Sequence, residues 1–218
     1  MPEITQACSV AISNCLSIET NTMQLPPPKI DSDFSLEKAL VRRRSIRGYA
    51  AGPVVLSQLS QLLWAAQGIT SPEGLRTTPS AGATYPLEIY VVASGDGGLT
   101  AGIYHYSNRA HELTVVSTGD IRPELAQAAK GQSMIEDAPL SIIIAAVSAR
   151  TSPRYGSRST RYIAMEAGHA AQNVYLQATA LGLGTVVIGA FSDREVSRVL
   201  KLGEAEPLYI MPVGVQEP

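Results

Sequence analysis

The chain has 218 residues, 45% of them hydrophobic, with 17 basic residues against 19 acidic ones and a formal net charge of -2. That length buries a full core as one domain, and the near-balance of charge excludes a general field for nucleic acid or acidic lipid, so any anion site is local. The two cysteines, Cys8 and Cys15, are no disulfide scaffold and fit a reducing compartment, which makes a cytoplasmic protein the expectation.

Residues 1–28 contain no Lys or Arg and no long apolar run, so they do not read as a signal peptide. No apolar run elsewhere is long enough to span a bilayer. Residues 1–33 are polar and end in Pro26-Pro27-Pro28, which predicts an extended leader. Residues 34–218 are the single domain. From Ser35 the pattern turns helical, with Leu36, Ala39 and Leu40 on one stripe. A second helix is predicted from Ser57 as N-cap through Leu59, Leu62, Leu63 and Ala66 to Gly68 as stop.

Residues 69–86 form a Gly/Ser/Thr/Pro loop. Strands are predicted at 88–94, 102–106 and 111–117, the last two joined by Ser107-Asn108-Arg109-Ala110 as a hairpin turn. A helix at about 120–130 starts from Asp120. The run Leu140-Ser141-Ile142-Ile143-Ile144-Ala145-Ala146-Val147 reads as a central strand buried on both faces. The segment 161–181 is a long helix with Ala164, Ala167, Gly168, Ala170 and Ala171, small residues on several faces that predict packing nearly all round. Thr185 to Ile188 follow as a strand, then a short helix capped by Ser192 and a final strand at 207–213. The whole is α+β.

Three loops carry the candidate chemistry. In Arg42-Arg43-Arg44-Ser45-Ile46-Arg47, four guanidiniums lie within six residues and repel one another, so they need solvent or an anion. Guanidinium forks match phosphate oxygens, and a serine hydroxyl adds a donor. The competing reading is a solvated basic helix end, favoured by the helix dipole. Pro79-Ser80-Ala81-Gly82-Ala83-Thr84-Tyr85-Pro86 is a stiff loop of small residues whose backbone can lie close to a flat ligand, or an ordinary connection. Gly182-Leu183-Gly184-Thr185-Val186-Val187-Ile188-Gly189 is not a dinucleotide fingerprint, because the order here is helix, glycines, strand, and that fingerprint needs strand, glycines, helix.

In that order, the RRxSxR helix end, PSAGATYPLEIY, GHAAQNVYLQATALGLG and VVIGAF resemble the flavin-dependent nitroreductase family. LLWAAQGI at 62–69 adds likeness to its stand-alone SagB/ThcOx-type dehydrogenase branch. The likeness covers about residues 25–214. It implies a nitroreductase-like fold, with a central, mostly antiparallel sheet flanked by helices, in an intertwined homodimer holding FMN at the subunit interface. Carried over by position, Arg43, Arg44, Ser45 and Arg47 would hold the FMN phosphate and the pyrimidine edge. Pro79, Ser80, Ala81 and Gly82 would line the ring, while Ile188, Gly189 and Ala190 would present backbone groups near its N5 edge.

The resemblance further implies NAD(P)H as electron donor and a small-molecule substrate, and the charge balance and short apolar runs add the expectation of no nucleic acid and no membrane as partners. Two departures stand out. After Pro212-Val213-Gly214 the chain reads Val215-Gln216-Glu217-Pro218, without the base that many family members place there. Where azoline-oxidising members carry a Lys-Tyr pair, this chain has Arg154-Tyr155, followed by Arg158 and Arg161. Arg is a poor general base, which weakens an azoline-oxidase assignment.

Arg150, Arg154, Arg158 and Arg161 form a basic loop, either solvated or a mouth over the cofactor; Arg154, Tyr155, Arg158 and Arg161 are the candidate substrate contacts. Glu166 and His169, three apart on the long helix, read as a structural polar contact and not a metal pair, since no third ligand is placed. His105 and His111 read as surface residues of the hairpin, and Trp64, Tyr85 and Tyr90 as core aromatics. No catalytic side chain is assigned, because hydride transfer through a flavin needs no protein nucleophile. The alternative function is a non-catalytic FMN or small-ligand binding dimer.

Overall fold

A computed structural model describes residues 21–217 of the chain; Cys8, Cys15 and the first part of the leader lie outside them. Among the described residues, the centre is a seven-stranded antiparallel sheet in the order β1-β4-β3-β2-β5-β7-β6. Its strands are β1 (Thr22–Gln24), β2 (Leu87–Ala93), β3 (Gly102–Ser107), β4 (Glu112–Thr118), β5 (Leu140–Ala146), β6 (Leu183–Thr185) and β7 (Glu206–Val215). This is the α+β arrangement, an antiparallel sheet flanked by helices, that the motifs imply.

β5 sits in the middle and every one of its residues is buried. Ile142 and Ile144 belong to one core and Ile143 and Ala145 to the other, as strand alternation between two covered faces requires. Two helices pack the first face: α2 (Leu56–Gln67) and the long α6 (Ser159–Ala180). The second face carries α3 (Arg122–Ala128) and α7 (Asp193–Leu200), with α4 (Met134–Asp137) beside α3. The remaining helices, α1 (Leu36–Arg42) and the short α5 (Ser152–Tyr155), flank the two ends of α6.

Local chemistry explains most boundaries. Ser35 caps α1, its Oγ accepting from the Lys38 N–H at 3.2 Å, and Ser192 caps α7 through the Glu195 N–H at 3.4 Å. α2 begins one residue before the expected serine cap: Val55 is the N-cap, and the Gln58 side chain accepts from its N–H at 3.0 Å. The hairpin turn between β3 and β4 also sits one residue later, and His111 takes a left-handed φ of 52° there.

Two expectations fail. The predicted strand 185–188 lies earlier, at Leu183–Thr185, with Ile188 touching β7 only by an isolated bridge. α6 is not packed all round within one protomer: Ala167, Ala170, Ala171, Val174 and Ala178 are buried, but Arg161, Ala164, Met165, His169 and Gln172 are exposed. The apolar stripe of α1 is open as well, with Leu36, Leu40 and Val41 exposed and only Ala39 buried. Within residues 21–33, β1 pairs with β4, and Gln61 bonds both the N–H and the carbonyl of Lys29.

Candidate functional site

Two groups of candidate residues form on α6, each assembled by side chains from distant parts of the chain. The first surrounds the arginine run. Gly184 in β6 is paired with Gly214 in β7, leaving a patch of bare backbone at that sheet edge. The segment after α1 lies across it. A Cβ on Gly184 would come within 2.6 Å of Ile46 Cγ2, and one on Gly214 within 2.6 Å of Tyr49 Cγ. The Ile46 N–H donates to the Thr185 carbonyl at 2.9 Å, and the Ala50 N–H to the Val215 carbonyl at 3.0 Å.

These anchors fix Arg43, Ser45 and Arg47. Ser45 Oγ is 3.1 Å from the Tyr175 hydroxyl of α6, which also accepts the Val187 N–H at 2.8 Å. The Arg43 guanidinium lies over the Tyr175 ring, 5.1 Å from its centroid, while Arg44 bends back to the carbonyls of Val41 and Arg43. Arg44 and Arg47 are exposed and Arg43 half-exposed; none of the three has a carboxylate within ion-pair distance among the described residues. Three cations with solvent access and a serine hydroxyl at one anchored turn make a donor set suited to a phosphate.

The second group is the loop after α2. Gly82, Ala83 and Tyr85 all have positive φ, at 60°, 53° and 46°, so a strained left-handed path is imposed on a segment with only one glycine among the three. Ser80 supports it by accepting the Tyr85 N–H at 2.9 Å. Arg154 and Tyr155, placed by α5, close on Gly82 from outside. Arg154 donates to the Gly82 carbonyl at 3.0 Å, and a Cβ on Gly82 would meet the Tyr155 hydroxyl at 2.5 Å and the Arg154 guanidinium at 2.8 Å. The structure thus brings two of the four arginine-loop candidates onto the loop. Arg158 is exposed and turns to Tyr162, 3.2 Å from its hydroxyl; Arg161 is exposed.

Under that loop lies Glu166, 3% exposed, with Oε1 unpartnered. Burial raises its carboxyl above the ordinary value, against a lowering by the Ser80 hydroxyl and the charge of Arg76. His169 is exposed, so the two do not form the polar contact expected of them. Among the described residues no group of His, Cys, Asp and Glu is arranged to hold a metal ion.

Ile188 departs from its expected role. Its N–H and carbonyl are both bonded to Ile210, at 2.9 and 3.0 Å, and it is buried, so it has no backbone group to offer a ligand. Gly189 and Ala190 are exposed, the Ala190 carbonyl accepting from Gln132 at 3.0 Å.

A third cluster escaped the sequence reading. Glu88 of β2 binds His105 of β3 at 2.5 Å and forms an ion pair with Arg150 after β5. Burial alone would raise the Glu88 carboxyl, but these two partners hold it below its ordinary value. Arg150 also donates to the Tyr85 carbonyl at 3.2 Å. The Arg76 guanidinium lies over the Tyr85 ring, 4.3 Å from its centroid. Nor is His111 a bare surface residue: its Nδ1 is 2.9 Å from the Tyr106 hydroxyl, and its Nε2 is 2.8 Å from Ser60 Oγ and 3.0 Å from the Pro26 carbonyl.

No hydrogen bond or ion pair among the described residues joins the arginine run to loop 79–82. Their supports, Tyr175 and Glu166, are nine residues apart on α6, about 14 Å along the helix axis at 1.5 Å per residue.

Comparison with known proteins bears on this arrangement. The model of the nitroreductase family matches residues 40–215. A protein with the provisional name nitroreductase, from Methanocaldococcus jannaschii, is 48% identical over 194 residues, which cover 89% of this chain and 97% of that protein. A crystal structure with the same provisional description, from Ralstonia eutropha, superposes with a TM-score of 0.80 at 29% identity, covering 91% of this chain and 90% of that one. The fold is shared with the NADPH:FMN oxidoreductase of Vibrio harveyi, solved with NAD+, at a TM-score of 0.61 and 22% identity, covering 84% and 69%.

Proposed function

The chain belongs to the nitroreductase family, and from that premise we propose that it is an FMN-dependent oxidoreductase of the SagB-type dehydrogenase branch, working as a homodimer. It passes hydride or electrons between NAD(P)H and a small organic substrate. The observation that carries this reading is the pair of ligand-ready surfaces on α6: unpaired guanidiniums with Ser45 at one, and a strained, glycine-pinched loop at the other. Phosphate needs charged donors, and a flat ring needs close, backbone-rich walls.

Arg43, Arg44, Ser45 and Arg47 would take the phosphate and pyrimidine edge. Pro79, Ser80, Ala81 and Gly82 would wall the ring, and Gly189 and Ala190 would supply backbone near its reactive edge. Bound there, the flavin supplies the two-electron chemistry. Glu166, held toward its neutral form by burial, would brace Ser80 without adding charge beneath the ring. The exposed Arg158 and Arg161 would receive the phosphates of the nicotinamide donor.

A dimer accounts for two further features. The two surfaces stand apart within a protomer, and an interface can bring one of each to a shared flavin. The exposed apolar residues Leu36, Leu40, Val41 and Met165 then have a surface to cover them.

One observation favours a second reading, a non-catalytic flavin-binding dimer: the Arg154 guanidinium is held on the Gly82 carbonyl and is no general base. Anaerobic mixing of the purified holoprotein with NADH and with NADPH separates the two. The oxidoreductase reading expects bleaching of the flavin absorption with at least one donor, and turnover with quinones or nitroarenes. No bleaching and no turnover would leave the binder.

A further inference from the structure

We propose that the cavity beside Tyr85 binds the carboxylate of a small monoanionic organic molecule. The inference stands on side chains outside the flavin assignment and does not depend on it. The cavity, about 240 Å³, is lined by Gln67, Arg76, Glu88, His105, Asn108 and Arg150 among others. Pockets for drug-sized ligands run from about 300 Å³ upward, so this one suits a molecule of a single ring.

Its donors outnumber its acceptors. Arg76 is half-buried, and among the described residues its one side-chain hydrogen bond runs from Nη1 to Gln67 Oε1 at 2.7 Å. No carboxylate lies within ion-pair distance of it among the described residues. Its guanidinium carbon lies over the Tyr85 ring, 4.3 Å from the centroid. Gln67 is 1% exposed, and with Oε1 taken by Arg76 its Nε2 has no acceptor. A buried amide donor without a partner is uncommon in a finished structure and calls for one.

Glu88 does not supply it, since Gln67 Nε2 has no hydrogen-bond partner among the described residues. One carboxylate oxygen is engaged by His105 and the other by Arg150. What remains among the described residues is a half-buried cation lining the cavity, bonded to a buried amide whose own donor has no partner. A planar carboxylate entering the cavity meets the Arg76 guanidinium, whose N–H fork matches its two oxygens. Two guanidiniums against one carboxylate leave an excess of one positive charge, which matches a monoanion better than a dianionic phosphate.

Calorimetric titration of the full-length protein at pH 8 tests this, with benzoate, benzamide and inorganic phosphate as probes. Benzoate should bind saturably, one per chain, and at least tenfold tighter than the other two. Arg76→Gln should weaken benzoate at least tenfold. Gln67→Glu, which gives Arg76 an internal carboxylate in place of the neutral amide, should abolish benzoate binding while raising the melting temperature, so the proposal stays testable if Arg76→Gln does not fold. Benzoate binding no tighter than benzamide, or unchanged in the Gln67→Glu protein, overturns the site. Phosphate binding tighter than benzoate overturns the carboxylate assignment.

Discussion

Arg43, Arg44 and Arg47 occupy an anchored turn with access to solvent and, among the described residues, no carboxylate within ion-pair distance. Arg76 and Arg150 work instead in a partly buried cluster: Arg150 is paired with Glu88, while Arg76 lies over Tyr85 and is bonded to Gln67. Residue type is the same and environment separates them. An exposed guanidinium already interacts with water, so its charges cost little to hold together and are released to whatever anion arrives. A buried guanidinium must have its partners built in. The first region therefore suits a highly charged, exchangeable group, and the second suits structure and selective recognition of one small anion.

Breaking the first region at its anchor gives the largest expected effect. Gly184→Val forces side-chain atoms into the place of Ile46, which already lies within 2.6 Å of a Cβ there. Overpacking costs about 3 kcal/mol, and a chain of this size loses roughly 2–4 °C of melting temperature per kcal/mol. Calorimetry should show a fall on the order of 10 °C, and flavin content should drop with it because the arginine turn is displaced. A variant with wild-type melting temperature and full flavin would show that the glycine pair does not seat the turn.

Breaking the second region should cost less and leave flavin content alone. Glu88→Gln removes the charge that holds Arg150 and His105. The loss is ~1–2 kcal/mol, since part of the pair is open to solvent and screened. The carboxyl of Glu88 is held below its ordinary value, so its contribution is complete above the unfolded pKa of about 4.3 and disappears as pH falls through the lower folded value. Denaturant melts of the two proteins should differ at pH 7 and converge in acid. A difference that persists unchanged below pH 3 would contradict the ion-pair account.

The smallest effect belongs to His111, which ties Pro26 to Ser60 and Tyr106. Burial lowers its pKa, so the neutral ring is favoured in the folded protein. That stability is present above the unfolded value of about 6.5 and is lost as pH falls through the folded value. Protection of residues 22–25 against hydrogen exchange, corrected for the intrinsic rate, should fall as pH drops below the unfolded value of about 6.5 and not in His111→Gln, while the centre of β5 stays protected throughout.

Much of this architecture was legible in the sequence, and what was not has a common cause. The run Leu140–Ala146 declares a doubly covered strand because both alternating sets are apolar, and Ser35 and Ser192 announce the helices they cap. β1 gives no such signal: Thr22–Gln24 is polar and joins the sheet through its backbone, with only Met23 part-buried. The four-residue helices α4 and α5 are too short to be set by their own propensity and exist through tertiary contacts.

The arginine run and the small-residue loop stood out as motifs because each is contiguous. The Glu88, His105 and Arg150 cluster did not, since its members come from three strands or their ends and meet only through the register that pairs Tyr90 with His105 and Glu88 with Ala145. The purpose of Gly184 was hidden in the same way. Its partner Gly214 lies thirty residues on, and only strand pairing shows that the two form one bare patch under Ile46 and Tyr49. Those two glycines, each near the end of an apolar strand, were the signal available.

The flavin content of purified protein tests the central claim most directly. FMN released by denaturation and measured chromatographically should approach one per chain in the wild type. Each lost charge-assisted bond is worth about 1.5–3 kcal/mol, so Arg43→Ala with Arg47→Ala should weaken FMN binding a hundredfold or more, with the melting temperature of the apoprotein unchanged. Full FMN occupancy in that double variant, or no FMN uptake by the wild type on reconstitution, would contradict the assignment of the arginine turn as the phosphate site.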